Sequence, residues 1–324
     1  TKISLCNIFG PIINKMEIIY DQTKLNADCA VTLGVFDGVH LGHRELLKQV
    51  NAIAKSKGLQ TTVVTFNKHP LSVLNPERAP KMLTTTKRKL ELLEETGLVN
   101  NVLLIDFNIA IAHLEATDFI KDVFVDQLNT KAICVGENFS FGHDRKGNVD
   151  LLKSQSQEYG FEVFPLELLQ SDSEHKPISS TLIRQYISVG DVVEAKKYLG
   201  RAHEISGVVV HGDHKGRELG YPTANTQVDK NLAIPNDGVY AGRVLVKNKI
   251  DQSCISIGVR PTFHDDNIRV VEPYILDFDQ DIYFENISIM FEEKIRDQQV
   301  FSSVDDLIDQ IELDCLQTRK IVEN

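Results

Sequence analysis

The sequence predicts two domains: an α/β domain on a doubly wound parallel sheet (Rossmann-like), then a β-barrel-like domain closed by a C-terminal helix. Three observations carry this. Between residues 30 and 165 strand-like apolar runs alternate with amphipathic helical segments, and strict alternation implies a parallel sheet covered on both faces. After Gly200 and Arg201 the chain turns mostly β. Its 324 residues, at roughly 150 per domain, suffice for two cores.

The first strand is the apolar run Ala30–Phe36, followed by a helix from Leu41 to Lys57. Leu46, Leu47, Val50, Ile53 and Ala54 share one face of that helix, and Gly58 suits its C-terminal cap. Gln60–Phe66 is rich in Thr and Val, as a strand should be. Lys87–Thr96 reads as a helix entered through threonines and closed by Gly97; Val99–Phe107, Asp118–Gln127 and Ala132–Val135 continue the alternation. Asn148–Tyr159 is a helix capped by Gly160, and Phe161–Pro165 a strand. Ser179–Leu199 reads as two short helices around Gly190. The β region holds Glu204–His211, Gly238–Val246, Ser253–Gly258, Val270–Phe278 and Asn286–Ile295. Val304–Lys320 closes the chain as an amphipathic helix through Leu307, Ile308, Ile311 and Leu316.

Lys and Arg total 35 against 46 Asp and Glu, a net charge of −11, with no basic block. A broad nucleic-acid or anionic-membrane surface is therefore not expected, although a local basic pocket for a phosphate is compatible. No apolar run approaches the ~20 residues that span a bilayer. Ile3–Ile13 weakly imitates a signal-peptide core, but Asn7 and Pro11 interrupt it, and residues 1–15 read as an extension. Cys6, Cys29, Cys134, Cys254 and Cys315 are odd in number and never form C-x-x-C, the usage of a reducing cytoplasm.

Gly34-Val-Phe-Asp-Gly-Val-His-Leu-Gly-His43 ends the first strand and opens the first helix, where open parallel sheets bind ligands. Gly34, Gly38 and Gly42 let a backbone approach a ligand closely, and the helix start offers N–H groups to a phosphate. His40 and His43, three apart, are placed to reach one anion and hydrogen-bond charge developing on it. The segment also reads as a Gly-rich turn with two solvated histidines; as a zinc pair it lacks a third ligand nearby. Ser179, Ser180 and Thr181 start a helix with hydroxyl donors, and Arg184 falls one turn later, either to grip a phosphate or simply as a cap and a surface arginine.

The first segment resembles the G-x-F-D-G-x-H-x-G-H signature of the bacterial bifunctional riboflavin kinase/FAD synthetase family, with every fixed position present, Phe36 and Asp37 included. Thr65-Phe-Asn-Lys-His-Pro70 resembles its T-F-x-P-H-P with Lys68 for a proline, and Val135–Gly147 its V-G-x-[DN]-F-x-F-G-x-x-R-x-G. The resemblance implies flavin or adenine contacts at Asn67, His69, Asn138 and Phe139. Ile178–Arg184 resembles I-S-S-T-x-I-R, which implies a phosphate grip. In the second half, Gly212–Asn225 ends in an intact G-[FY]-P-T-A-N, Gly220, Pro222, Thr223 and Asn225 included. The resemblance implies that Gly212, Gly216 and Gly220 belong to a loop covering ATP phosphates, and that Thr223 and Asn225 hold Mg²⁺, a hard cation that takes oxygen ligands. Pro235–Tyr240 and Ile257–Phe263 match architectural turns of the family.

Glu272 falls where the family has its general base; taken alone it reads as an exposed strand residue. Pro273 and Phe284 depart from the pattern, Phe284 standing where the family generally has glycine. Together the resemblance spans about residues 17–320. It implies an FAD synthetase domain over 16–184 and a riboflavin kinase domain over 185–324, with catalytic His40, His43 and Glu272. The substrates it implies are riboflavin, FMN and ATP, with Mg²⁺ as cofactor and no nucleic-acid or membrane partner. Narrower readings are one retained activity, or a flavin sensor without turnover; oligomeric state is left open.

Overall fold

A computed structural model describes residues 15–20, 23–171, 177–212, 216, 219–260 and 268–323. The expectations for residues 1–14 with Cys6, for 213–215 and 217–218 of the phosphate loop, and for Pro261, Thr262 and Phe263 lie outside the described residues. The chain divides into two units. One takes the chain up to Phe36 with His43–Ala79 and Thr86–Leu168; the other takes Asp37–Gly42, Pro80–Thr85 and everything from Leu169. Grouping by contact thus cuts the chain at Leu168, and two short segments of the N-terminal half join the C-terminal unit.

The first unit is a six-stranded sheet, every pairing parallel, in the order β1-β4-β3-β2-β5-β8. Its strands are β1 (Glu17–Ile19), β2 (Cys29–Leu33), β3 (Gln60–Phe66), β4 (Asn101–Ile105), β5 (Thr130–Gly136) and β8 (Glu162–Leu166). β2 and β4 are buried at every residue, as strands sandwiched between helices must be. Helices α1 (Leu41–Lys57), α2 (Thr86–Glu95) and α3 (Val149–Tyr159) follow the predicted periodicity, and Asn148 caps α3 by accepting from Leu151 N at 2.8 Å. The helix expected over Asp118–Gln127 begins at Ala116 and widens over Ile120–Gln127, where Leu128 N–H reaches back five residues to Val123 O at 3.0 Å. β1, only three residues long, and the small hairpin β6 (Ser140–Phe141) and β7 (Gly147–Asn148) were too short for periodicity to reveal.

In the second unit, helices α4 (Ser180–Ser188) and α5 (Val192–Leu199) precede a closed antiparallel barrel in the order β10-β13-β12-β11-β14-β9. The strands are β9 (His203–Val209), β10 (Thr226–Val228), β11 (Gly238–Val246), β12 (Lys249–Arg260), β13 (Ile268–Ile275) and β14 (Asn286–Arg296). Val246 pairs with Lys249 across a two-residue turn in which Lys247 and Asn248 both have positive φ (47° and 65°). This is the hairpin type whose twist matches the strands, formed without the Gly that usually signals it.

The barrel absorbs Pro273 by a local substitution. Leu276 N–H donates to Gln252 O, and alternation along the register puts Pro273 opposite Ile255 where β12 and β13 exchange no hydrogen bond. On the other side Pro273 O accepts from Ala224 N at 2.8 Å, and Ala224 O, which a residue with an N–H would have served, accepts from Thr226 Oγ1 at 2.9 Å. Phe284 has φ 63°, the left-handed region, and is 70% exposed. That backbone explains a glycine preference: a side chain there costs about 1–2 kcal/mol. Phe284→Gly is expected to be more stable than Phe284→Ala by about 1 kcal/mol in urea unfolding; equal stabilities would mean that position 284 relaxes out of the left-handed region.

The C-terminal helix α6 (Val304–Glu323) corrects one expectation. Leu316 is 55% exposed, and the residues it buries are Asp314, Thr318 and Val322. Asp314 meets Arg296 of β14 with Nε at 3.0 Å and Nη2 at 2.7 Å, and Gln310 Nε2 adds a third donor at 2.9 Å. Leu307, Ile308 and Ile311 are half-buried as expected, and a buried, forked ion pair fixes the helix beside them.

Candidate active sites

In the second unit a cavity of about 650 Å³ gathers Gly216, Pro222, Thr223, Asn225 and Glu272. Strand β13 delivers Glu272 by alternation: Val271 goes into the barrel core, while Val270 and Glu272 line the cavity. The loop before β10 delivers Thr223 and Asn225. It is pinned by Val210 N–H to Asn225 O and by Tyr221 N–H to Gly216 O, both 2.8 Å. Gly212 is required because a Cβ there would overlap the Asn225 side-chain amide. Gly220 lies in the turn just ahead of Pro222. A carboxylate, a hydroxyl and an amide thus face one space, with Asp279, Asp281 and Tyr283 on its wall.

The same unit holds residues 37–42 of the signature. Asp37 is 1% exposed and works as a hub. Its carboxylate accepts from Leu83 N at 3.0 Å and Thr84 N at 3.2 Å and pairs with Arg184 Nη2 at 2.5 Å. Ser180 Oγ donates to Asp37 O at 2.9 Å, so the predicted one-turn spacing of Ser180 and Arg184 converges on one residue. Arg184 Nε also donates to Lys81 O at 2.6 Å. Gly38 has φ +80°, and a Cβ on it would come 2.8 Å from Leu83. Ser179 caps α4 through Leu182 N at 3.3 Å; Thr181 is exposed, and Gly42 is buried against Ile178 O. Thus Asp37 and Ser179 are held by protein groups, and Arg184 is anchored at two of its nitrogens.

His40 is buried, and burial first, then the charges of Arg201 and Arg184, push its pKa down to about 3. It is a neutral imidazole at physiological pH. His203, buried on β9 with Nε2 2.7 Å from Ala233 O, is lowered to about 4, chiefly by burial. Unfolded histidines titrate near 6.5, so between pH 6.5 and 4 the unfolded chain binds two protons the native chain refuses. Stability is then full above pH 6.5 and falls as pH falls, by about 1.4 kcal/mol per pH unit per histidine. Urea midpoints are expected to drop from pH 7 to pH 5, and less in His203→Gln; an unchanged slope in that variant would contradict the assignment.

In the first unit, Phe36 is buried with φ 52° and its ring lies 4.8 Å from that of His43, in the first turn of α1. Gly34 sits under the Phe36 ring, its N–H on Val64 O at 3.1 Å. Behind this segment lies Lys89, a buried lysine of α2 that the sequence reading did not single out. Its Nζ donates to Val35 O (3.2 Å), Thr65 Oγ1 (3.1 Å) and Phe66 O (2.6 Å), tying the ends of β2 and β3 together. A lysine on an otherwise apolar helix face, Leu92 and Leu93 being its buried neighbours, was the available signal. Asn67 is taken up by its scaffold: Nδ2 donates to Asp106 at 2.6 Å and Oδ1 accepts from Phe107 N at 3.2 Å. His69 Nδ1 accepts from Leu71 N at 3.1 Å, and Lys68 lies 3.6 Å from Asp106. Asn138 is exposed, and Phe139 stacks at 5.5 Å on the buried Phe141.

Among the described residues, no group of three or more His, Cys, Asp or Glu is arranged to hold a metal, and no helix is long and apolar enough to cross a membrane. Compared with known families, residues 22–182 match FAD synthetase and residues 199–322 match riboflavin kinase. Curated proteins described as bifunctional riboflavin kinase/FMN adenylyltransferase are similar along nearly their whole length. That of Buchnera aphidicola subsp. Schizaphis graminum is 38% identical over 91% of this chain and 95% of its own. That of Escherichia coli K12 is 38% identical over 90% and 92%. A solved structure from Streptococcus pneumoniae, titled a macrolide-efflux protein, has TM-score 0.84 and 34% identity over 94% of this chain and 99% of its own.

Proposed function

The chain belongs to the bifunctional riboflavin kinase/FMN adenylyltransferase family, and from that premise we propose that it carries out both reactions, as a kinase domain over 185–324 and an adenylyltransferase domain over 16–184. The observation that carries the kinase half is the meeting of Glu272, Thr223 and Asn225 in one cavity. There the Glu272 carboxylate takes the proton of the riboflavin 5′-hydroxyl as its oxygen attacks the γ-phosphorus of ATP; FMN forms and ADP leaves. The Thr223 hydroxyl and the Asn225 amide oxygen suit Mg²⁺, which when bound neutralises phosphate charge. Gly212, Gly216 and Gly220 let the loop backbone lie against the nucleotide.

For the second reaction an FMN phosphate oxygen attacks the α-phosphorus of ATP, and pyrophosphate leaves. His40, kept neutral by burial, donates a hydrogen bond to the charge that develops there, and His43 at the start of α1 does the same. Ser180 holds the Asp37 backbone, and the Asp37 carboxylate holds Arg184 for the phosphates. Phe36, its ring tilted against that of His43, keeps that ring in place, while the exposed Asn138 and the half-buried Phe139 meet the flavin. Asn67 and His69, which accept from the backbone of Phe107 and Leu71, add to the flavin contacts. Both reactions consume ATP, and the free thiols of Cys29, Cys134, Cys254 and Cys315 accord with the reducing cytoplasm where we place the protein.

The test is a chromatographic product assay with ATP and Mg²⁺, run separately on riboflavin and on FMN. FMN then FAD from riboflavin, and FAD with pyrophosphate from FMN, are expected. FAD from FMN with nothing from riboflavin would remove the kinase half and implicate Phe284, beside Tyr283 on the cavity wall. No product from either would leave a flavin-binding protein without turnover.

A further inference from the structure

A second cavity, of about 600 Å³, opens on the barrel where β10 and β13 pair. Its floor is Thr226 and Val271, which face each other across that pairing, and its apolar walls include Leu232 and Ile187. Among the described residues its charged lining is cationic, Lys81, Arg184, Lys230 and Arg269, with no carboxylate. In a chain of net charge −11 such a cluster runs against composition.

Three of these four cations are held by protein groups. Arg184 is held by Asp37, and Arg269 by Asp237 at 2.7 Å. Lys81 Nζ donates to Lys230 O at 2.7 Å, and Lys81 O accepts from Arg184 Nε. The two arginines have carboxylate partners; Lys81 and Lys230 have none among the described residues. Two ammonium groups without a carboxylate partner, beside the apolar Val271, Leu232 and Ile187, suit an anion joined to a ring, and the volume falls in the ordinary range for small-ligand sites. Strand β13 also connects this cavity to the first: Arg269 and Val271 line the second, Val270 and Glu272 the first.

We propose that this cavity binds a phosphorylated ligand bearing a flat apolar ring, the class to which FMN and ADP belong, at a place separate from the Glu272 cavity. The choice of probes rests on the proposed flavin chemistry, but the binding measurement does not require turnover. The full chain is dialysed to equilibrium against FMN, ADP or inorganic pyrophosphate, without ATP or Mg²⁺, beside a Lys81→Glu/Lys230→Glu variant. Both lysines are exposed, so the variant is expected to fold and to keep the wild-type rate of FMN formation from riboflavin.

The wild type is expected to bind one more equivalent of FMN or ADP than the variant, or to hold that equivalent about tenfold more tightly or better. Equal stoichiometry with affinities within about twofold overturns the proposal. Pyrophosphate bound as tightly as FMN and ADP overturns the assignment of a ring-bearing ligand. An extra equivalent in a protein that makes no product from riboflavin or FMN upholds the cavity site while refuting the catalytic reading.

Discussion

Glu272→Gln is expected to lower the rate of FMN formation from riboflavin about 10²-fold or more, while the rate of FAD formation from supplied FMN stays within about twofold. Glutamine keeps the volume of the side chain and its place on β13 but cannot take up the hydroxyl proton. The loss should therefore fall on kcat with KM for riboflavin little changed. The cavity isolates the residue from the rest of the chain's chemistry: Glu272 faces Thr223 and Asn225 within the second unit, and no residue of the histidine signature lines that space. Equal loss of both activities in a folded variant would contradict the assignment of two reaction centres, and a full kinase rate would remove Glu272 as the base.

Asp37→Ala is expected to cost about 3–5 kcal/mol of stability and to abolish FAD formation. The carboxylate is buried and serves two backbone amides and Arg184 at once, so truncation leaves an unpaired guanidinium and two unsatisfied N–H groups. Asp37→Asn keeps an acceptor for the amides and loses the charge, and should fall between the two. Urea unfolding with FAD formation from FMN checks both variants. A stability loss below about 1 kcal/mol for the alanine variant would show that Asp37 is not the hub its contacts describe.

Much of the architecture was legible because it rests on periodicity. Helix Leu41–Lys57 and strands Gln60–Phe66 and Gly238–Val246 have the bounds that their apolar patterns dictate. What escaped were features set by single contacts: the three-residue β1, the Lys-Asn turn, and the buried Asp314 of α6, whose inner face ends in an ion pair and not at Leu316. The motif residues were legible as a set, but their tasks were not. Ser179 looks the same in a sequence whether its hydroxyl caps a helix or meets a phosphate, and Asn67 looks the same whether it faces a flavin or its own strand ends. Lys89 was passed over for the converse reason, since a lysine within a helical segment normally signals solvent, even though Leu92 and Leu93 share its face.

Closure of the barrel sets an order of events during synthesis. Its first strand is partnered with its last, His203 against Phe291, and Thr226 pairs with Val271, so the ring is incomplete until the chain is made to about Arg296. The parallel sheet has all its strands by Leu166. At about 5–20 residues per second on the ribosome, the nascent chain carries a finished sheet for several seconds while the strands behind it still expose unpaired edges. A nascent-chain arrest series would find the N-terminal unit protected from protease well before the barrel, whose protection should arrive in a single step as β14 leaves the exit tunnel.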